Sequence, residues 1–311
     1  MSIQLDWSPY TKTTKTGITF VEEREKARLN NIAAQMRLNV MKTMINADYG
    51  HPASCLGLCD LFTALYFGGL MKYSPSNPFW PDRDRLVVSC GHISALMYTA
   101  LSMAGYFPAG RLDGYARAGG LPGHPHRSVG EGIENSSGSL GQGYGVGTGM
   151  ALALKKTGQH VFLITSDGEQ QEGQIWEACQ VAVKYRLTNL TVFIDENGIQ
   201  NSGRTADVMP SGDLAKKYAA FGFRTITLHP LTAFDIVQAV RSSRADRPVA
   251  VILKTVPGKG VSFMENNPDW HDDIPSGDLK KQALEELNKQ KQRSDAWQNF
   301  LNKMELRQCQ R

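Results

Sequence analysis

The sequence predicts an α/β fold, a doubly wound and mainly parallel sheet with helices on both faces. Three observations predict it. Short apolar runs, "RLVVSC", "HVFLIT", "NLTVFI" and "PVAVILKTV", alternate with helix-length amphipathic segments. Clusters containing Gly, Asp and Asn close several of those runs. A chain of 311 residues with 41% hydrophobic and 21% charged content has ordinary globular composition and is long enough to bury a sizeable core.

Each element follows from local pattern. Residues 1–20 read as an irregular arm. In "VEEREKARLNNIAAQMRLNVMKTMINA", Ile32, Met36, Val40, Met44 and Ile45 recur at helical spacing, which makes an amphipathic helix. "DYGHPASCLG" breaks it, and the apolar "CLGLCDLFTALYFGGLM" reads as a buried helix, too short and too acidic at Asp60 for a membrane span. "RLVVSC" is a buried strand stopped by Gly91 and His92, and "ISALMYTALSMAG" returns to helix.

The middle of the chain, "AGGLPGHPHRSVGEGIENSSGSLGQGYGVGTG", is a long Gly-, Ser- and Pro-rich segment, and such a segment inside a compact chain marks a candidate site. "HVFLIT" and "NLTVFI" then flank the helix "GQIWEACQVAVKYRL", while "RTITL" and "PVAVILKTV" flank "AFDIVQAVRSS". These elements make one domain over residues 21–275. The polar, helix-prone tail 276–311 has few apolar anchors and reads equally as a packing helix, a linker stub or a docking element.

Composition narrows the function. A net charge of +4, with Lys and Arg spread along the chain, gives no footprint for nucleic acid or a membrane surface. No apolar segment near the start resembles a signal peptide. The five cysteines form neither a disulfide framework nor a metal pattern, and Cys55 and Cys59 read as buried small residues sharing one helix face. Reduced thiols and a cytoplasmic setting follow.

The strongest site lies at "SDGEQQEGQIWEACQVAVKYRLTNLTVFIDENGIQ". If the two apolar runs and the helix between them form a right-handed βαβ unit, both strands end at one edge of the sheet, where open α/β folds bind ligands. Asp167-Gly168 and Asp195-Glu196-Asn197-Gly198 are those ends. Either cluster alone reads as a turn. Both, at one βαβ separation, deliver a carboxylate and an amide oxygen to one place, an incomplete hard-oxygen set suited to Mg²⁺ completed by phosphate oxygens and water. Gly168 and Gly198 allow sharp turns and close approach there.

Asp167-Gly168, a helix-length interval and Asn197 resemble the thiamine diphosphate-binding motif. The extended form "DGEQQEGQIWEA…NLTVFIDENG" is similar to the transketolase family. "NADYGHPASCLG", "DRLVVSCGHISALMY", "GLPGHPHRSVGEGIENSSGSLGQG" and "KTVPGKGVSFMENNPDWH" agree with that family in order, over roughly residues 25–272. The resemblance implies the thiamine diphosphate-binding fold and covers only the diphosphate-side half of a transketolase. It therefore implies the amino-terminal subunit of a split enzyme, whose partner supplies the pyrimidine-binding and carboxy-terminal domains in a heterotetramer.

By the same resemblance, Asp167, Asn197 and the Ile199 carbonyl would hold Mg²⁺. His92, Gly138, Ser139, Leu140, Gly168, Asn197 and His271 would hold the cofactor. His51, His124 and His271 would contact substrate, with His51 and His271 moving hydroxyl protons. Imidazole suits that task because it titrates near neutrality. Glu172, placed with Glu177 in the helix between the two clusters, would count with His51 and His271 among the catalytic residues by joining a carboxylate network across a subunit interface. Backbone N–H groups of the glycine loop and the helix that follows would meet the diphosphate charge.

His126, His160 and His229 carry no functional expectation, and Trp176 reads as packing. Ser139 stands where the family usually has proline, and "SDG" replaces the usual "GDG". The implied reaction moves a two-carbon ketol group from a ketose, often phosphorylated, to an aldose. A modified sugar suits as well as xylulose 5-phosphate. Subunits of deoxyxylulose-phosphate synthase or 2-oxo-acid dehydrogenase type, and a non-catalytic regulatory half-enzyme, are the competing readings.

Overall fold

The computed structural model describes residues 20–229, 231–243 and 246–309; the expected arm falls, up to residue 19, outside these. Five strands form the main sheet: β1 (Arg85–Val88), β2 (Val161–Ser166), β3 (Leu190–Asp195), β6 (Arg224–Leu228) and β7 (Val249–Leu253). Their order is β1-β2-β3-β7-β6 and every neighbouring pair is parallel. A short antiparallel ribbon, β4 (Ile199–Gln200) with β5 (Gly203–Arg204), follows β3.

The helices are α1 (Phe20–Ala47), α2 (Pro52–Gly57), α3 (Cys59–Phe67), α4 (Ser94–Ala104) and α5 (Gln142–Leu154). After them come α6 (Gly173–Lys184), α7 (Thr205–Val208), α8 (Leu214–Phe221), α9 (Ala233–Ser242) and α10 (Gly277–Cys309). Strand side chains alternate between two cores, as a period of two requires. Phe162, Ile164, Phe193 and Val251 face the core built with Met36, Phe62, Tyr98 and Ile236 from α1, α3, α4 and α9. Val161, Leu163, Val192 and Ile194 face the other core, with Tyr144, Ile175 and Tyr218 from α5, α6 and α8. The doubly wound architecture is thus observed.

Two local expectations differ. The apolar segment after Pro52 is two helices meeting at Leu58, whose φ of −91° and ψ of 0° leave the α region. Gly57, a poor helix former, precedes the break. Cys55 and Cys59 therefore do not share one helix, although both are fully buried and the Cys59 thiol donates to the Cys55 carbonyl at 3.2 Å. The helix α8 and the β4–β5 ribbon were too short for periodicity to signal.

The tail forms a helix that packs on α1. Ala283, Leu287 and Leu301 are buried, and Asn31 Nδ2 donates to Asp295 Oδ1 at 2.7 Å. The same helix grips the loop after β7: Gln290 Nε2 donates to the Gly260 carbonyl at 2.8 Å, and the Ser262 hydroxyl to Glu286 at 2.7 Å. A second anchor of that loop is ionic. Lys259 Nζ lies 2.8 Å from Asp60 Oδ2, which also pairs with the buried Arg37 of α1. Among the described residues no helix is long and apolar enough to cross a membrane.

Candidate active site

Parallel pairing of β2 with β3 puts Ser166 opposite Asp195, so both acidic clusters leave the sheet at the same edge. The Asp167 N–H donates to the Asp195 carbonyl at 2.9 Å, and the Gly198 N–H to Asp167 Oδ2 at 2.8 Å. Asp167 and Asn197 are thereby brought together. Gly198 has a φ of +76°, the left-handed region that glycine enters freely, whereas Gly168 has no such requirement. The Asn197 amide is locked: Nδ2 donates to Asp195 Oδ2 at 2.8 Å and to Ser54 Oγ at 3.1 Å, while Oδ1 accepts the Ile199 N–H at 2.8 Å. Ile199 is buried beside it.

This rim holds two buried carboxyl groups. Burial pushes the Asp167 carboxyl up to about 6, against the pull of its bonds from Gly198, Gly168 and Thr205. Burial likewise pushes Asp195 up to about 7, despite hydrogen bonds from Thr255 and Asn197. Among the described residues neither carboxylate has a cationic partner; the nearby Glu196 takes Lys254 at 2.6 Å. No three His, Cys, Asp or Glu side chains among the described residues converge as metal ligands. One buried Asp, one oriented Asn and one backbone carbonyl instead suit an octahedral Mg²⁺ that keeps its remaining positions for phosphate oxygens and water. The residues present fit the ion.

Three histidines from distant parts of the chain converge. His51 caps the amino end of α2, His92 lies in a turn just after β1, and His271 follows the loop after β7. Their ring centroids are 5.3 Å (His51–His92), 5.4 Å (His51–His271) and 6.0 Å (His92–His271) apart. The Nδ1 atoms of His51 and His271 are buried with no hydrogen-bond partner among the described residues, as expected of groups awaiting a ligand. His124 joins from the glycine-rich segment, its Cδ2 only 2.8 Å from where a Cβ on Gly91 would stand. His126 is exposed. His160 bonds Thr191 Oγ1 at 2.9 Å on β3.

Burial lowers the His51 pKa to about 4, with His271 and His124 reinforcing it and Asp272 opposing. Burial, then His51, His271 and His124, lower that of His92 to about 3. Burial lowers His271 as well. The His51 and His92 rings are thus expected to stay neutral in the folded chain at about pH 5, where the unfolded chain binds both protons. The stability they contribute is complete above the unfolded value near 6.5 and is lost as pH falls through about 4 and about 3. Imidazole NMR titration checks this, and protonation of either ring above about pH 6 would contradict it.

Gly138 and Ser139 are exposed, and the half-buried Leu140 accepts from Gln174 Nε2 at 2.9 Å through its carbonyl. Glu172 corrects the expectation from sequence. It is the exposed cap before α6 rather than part of the helix, because the residues after Asp167 turn through a short 3₁₀ segment first. Its Cβ stands 2.9 Å from where a Gly141 Cβ would be, so it adjoins the glycine loop.

Gly141 caps α5 at a φ of +82°, and its N–H donates to buried Glu169 at 2.6 Å. That donor is committed inside the protein, so of the backbone N–H groups in this stretch Gly141 already has an internal acceptor. Glu169 and Ser54 take no part in the reading from sequence, and Asp195 enters it only as the first residue of the cluster after β3. Asp195 and Glu169 were signalled only by being acids beside the two strand ends.

Residues 29–295 match the family described as transketolase, thiamine diphosphate binding domain. The chain belongs to the transketolase family. The 6-deoxy-6-sulfo-D-fructose transketolase subunit SqwG of Clostridium sp. (strain MSTE9) is 39% identical over 246 residues, which are 78% of this chain and 89% of that one. One subunit of the apulose-4-phosphate transketolase of Actinobacillus succinogenes is 36% identical over 242 residues, 76% and 87% of the two chains. The chain thus corresponds to the amino-terminal subunit of a split transketolase. The crystal structure of transketolase from Campylobacter jejuni superposes with a TM-score of 0.77 at 27% identity, covering 89% of this chain and 47% of that one. The chain spans about half the length of such solved transketolases.

Proposed function

We propose that this transketolase subunit transfers a two-carbon ketol group from a ketose to an aldose once a partner supplies the pyrimidine-binding domain. The observation that carries the reading is the convergence of His51, His92 and His271 at the start of α2, whose Ser54 hydroxyl accepts from Asn197 of the rim. Thiamine diphosphate, when bound, supplies the carbanion chemistry. Asp167, Asn197 and the Ile199 carbonyl would hold Mg²⁺. Gly138, Ser139, Leu140 and Gly168 would wall the cofactor, and His92 and His271 would lie against it. Neutral His51 and His271 would accept and return hydroxyl protons of the sugar, each having a buried nitrogen free for a partner. His124 would orient the donor, and exposed Glu172 would meet the partner subunit.

The donor we propose is a ketose with an anionic group at its far end. The sulfofructose and apulose-phosphate named for the two relatives share that chemistry. The assembly we propose is two of each subunit.

Mixing tests the reading. The purified chain with thiamine diphosphate and Mg²⁺ is expected to show no ketol transfer, and addition of a pyrimidine-domain subunit to restore it. Robust transfer by the lone chain would sink the shared-site idea. Inactivity with every candidate partner would favour a regulatory role.

A further inference from the structure

Glu169 is fully buried in the turn between β2 and α6. Its carboxylate gathers donors from three segments. Oε1 accepts the Ser89 hydroxyl from the end of β1, and the Gly141 N–H at 2.6 Å from the cap of α5. Oε2 accepts the Ser166 N–H, beside Asp167, at 3.3 Å. No cationic side chain among the described residues pairs with it.

Stability alone does not account for such a group. A carboxylate out of water is costly, and an apolar side chain of similar volume commonly serves a fold as well or better. What a carboxylate adds is fixed geometry. One planar group joins the ends of two adjacent strands to the loop that opens α5. Gly141 admits this because its φ of +82° aims its N–H inward.

We propose that Glu169 is a positioning residue that sets the spacing between the Asp167 rim and the Gly138–Leu140 wall. The inference rests on the reading that those two surfaces hold Mg²⁺ and thiamine diphosphate. With the Gly141 N–H already accepted by an internal carboxyl oxygen, the charge of a bound diphosphate falls to the cation at Asp167. The cation and the wall must therefore be held in register, and Glu169 bonds the residue beside each, Ser166 next to Asp167 and Gly141 next to Leu140.

The test uses the full chain. Glu169→Ala is expected to speed amide hydrogen exchange over residues 140–143 on the order of tenfold or more, while β2 and β3 amides keep their protection. In the mixture with the partner subunit, calorimetry should show thiamine diphosphate affinity in Mg²⁺ falling roughly 10- to 100-fold. Glu169→Gln should recover part of this, since it keeps an acceptor for Ser89 and Gly141 and disturbs only Ser166; it also carries the test should the alanine variant not fold.

Unchanged loop exchange in folded Glu169→Ala would overturn the proposal; should that variant not fold, wild-type cofactor affinity in Glu169→Gln would do so. So would faster exchange with undiminished cofactor affinity, which would make Glu169 a purely structural clamp. A wild-type mixture that binds no thiamine diphosphate would instead remove the cofactor reading and the positioning role with it, whatever the loop does.

Discussion

Asp167→Ala is expected to weaken Mg²⁺-dependent thiamine diphosphate binding by roughly 100-fold or more, since losing a ligand should exceed the loss of an outer partner. The fold should survive. Asp167 is 2% exposed, its carboxyl is pushed up to about 6 by burial, and no cationic side chain among the described residues neutralises it. Removing a buried charge that costs the metal-free chain free energy opposes the loss of its bonds to Gly168, Gly198 and Thr205. The melting temperature without metal should therefore change little, while the melting shift on adding Mg²⁺ and cofactor should vanish. Calorimetry showing wild-type affinity in the variant would mean that the cation binds elsewhere. A large loss of metal-free stability would mean that the carboxylate is structural.

Asp60→Ala should give the largest stability change. Asp60 is 3% exposed and answers two cations, the buried Arg37 and Lys259. Burial pushes its carboxyl up, but Arg37 and Lys259 outweigh that and hold it below the usual range. Removing it strands the buried Arg37 guanidinium, a change worth about 3–5 kcal/mol, and takes its carboxylate from the partly exposed Lys259, which keeps the Leu231 carbonyl. The folded pKa lies below the unfolded one, so this stabilisation is present above the unfolded carboxylate range and disappears as pH falls through the folded value. Urea unfolding should show a lower midpoint with an unchanged slope. A loss under about 1 kcal/mol would show that the ions reach water or other partners. Because Lys259 sits on the loop leading to His271, the variant should also loosen that histidine.

Strand ends and their chemistry were legible because they are local. Alternation of apolar runs with amphipathic segments marked the strands of the main sheet, and the two clusters after β2 and β3 marked the rim. Parallel pairing of those two strands then required Asp167 and Asn197 to meet, and Gly198 N–H on Asp167 Oδ2 at 2.8 Å is that meeting. The helix α10 was legible as a helix but not as a packing one. Its anchors, Ala283, Leu287 and Leu301, are too few to signal burial without α1 beside them. Its stacked Trp297 and Phe300 remain half exposed.

From sequence alone came the α/β class, the metal-suited rim and, through resemblance, the family and the histidines that belong to it. Local periodicity and turn chemistry encode the first two directly. Only the tertiary structure decided that His51, His92 and His271 share one cluster, that Glu172 stands before its helix, and that Glu169 binds three segments together. Those outcomes depend on the strand order β1-β2-β3-β7-β6 and on which polar groups the packed helices seal from water. Neither is a property of any short stretch of chain.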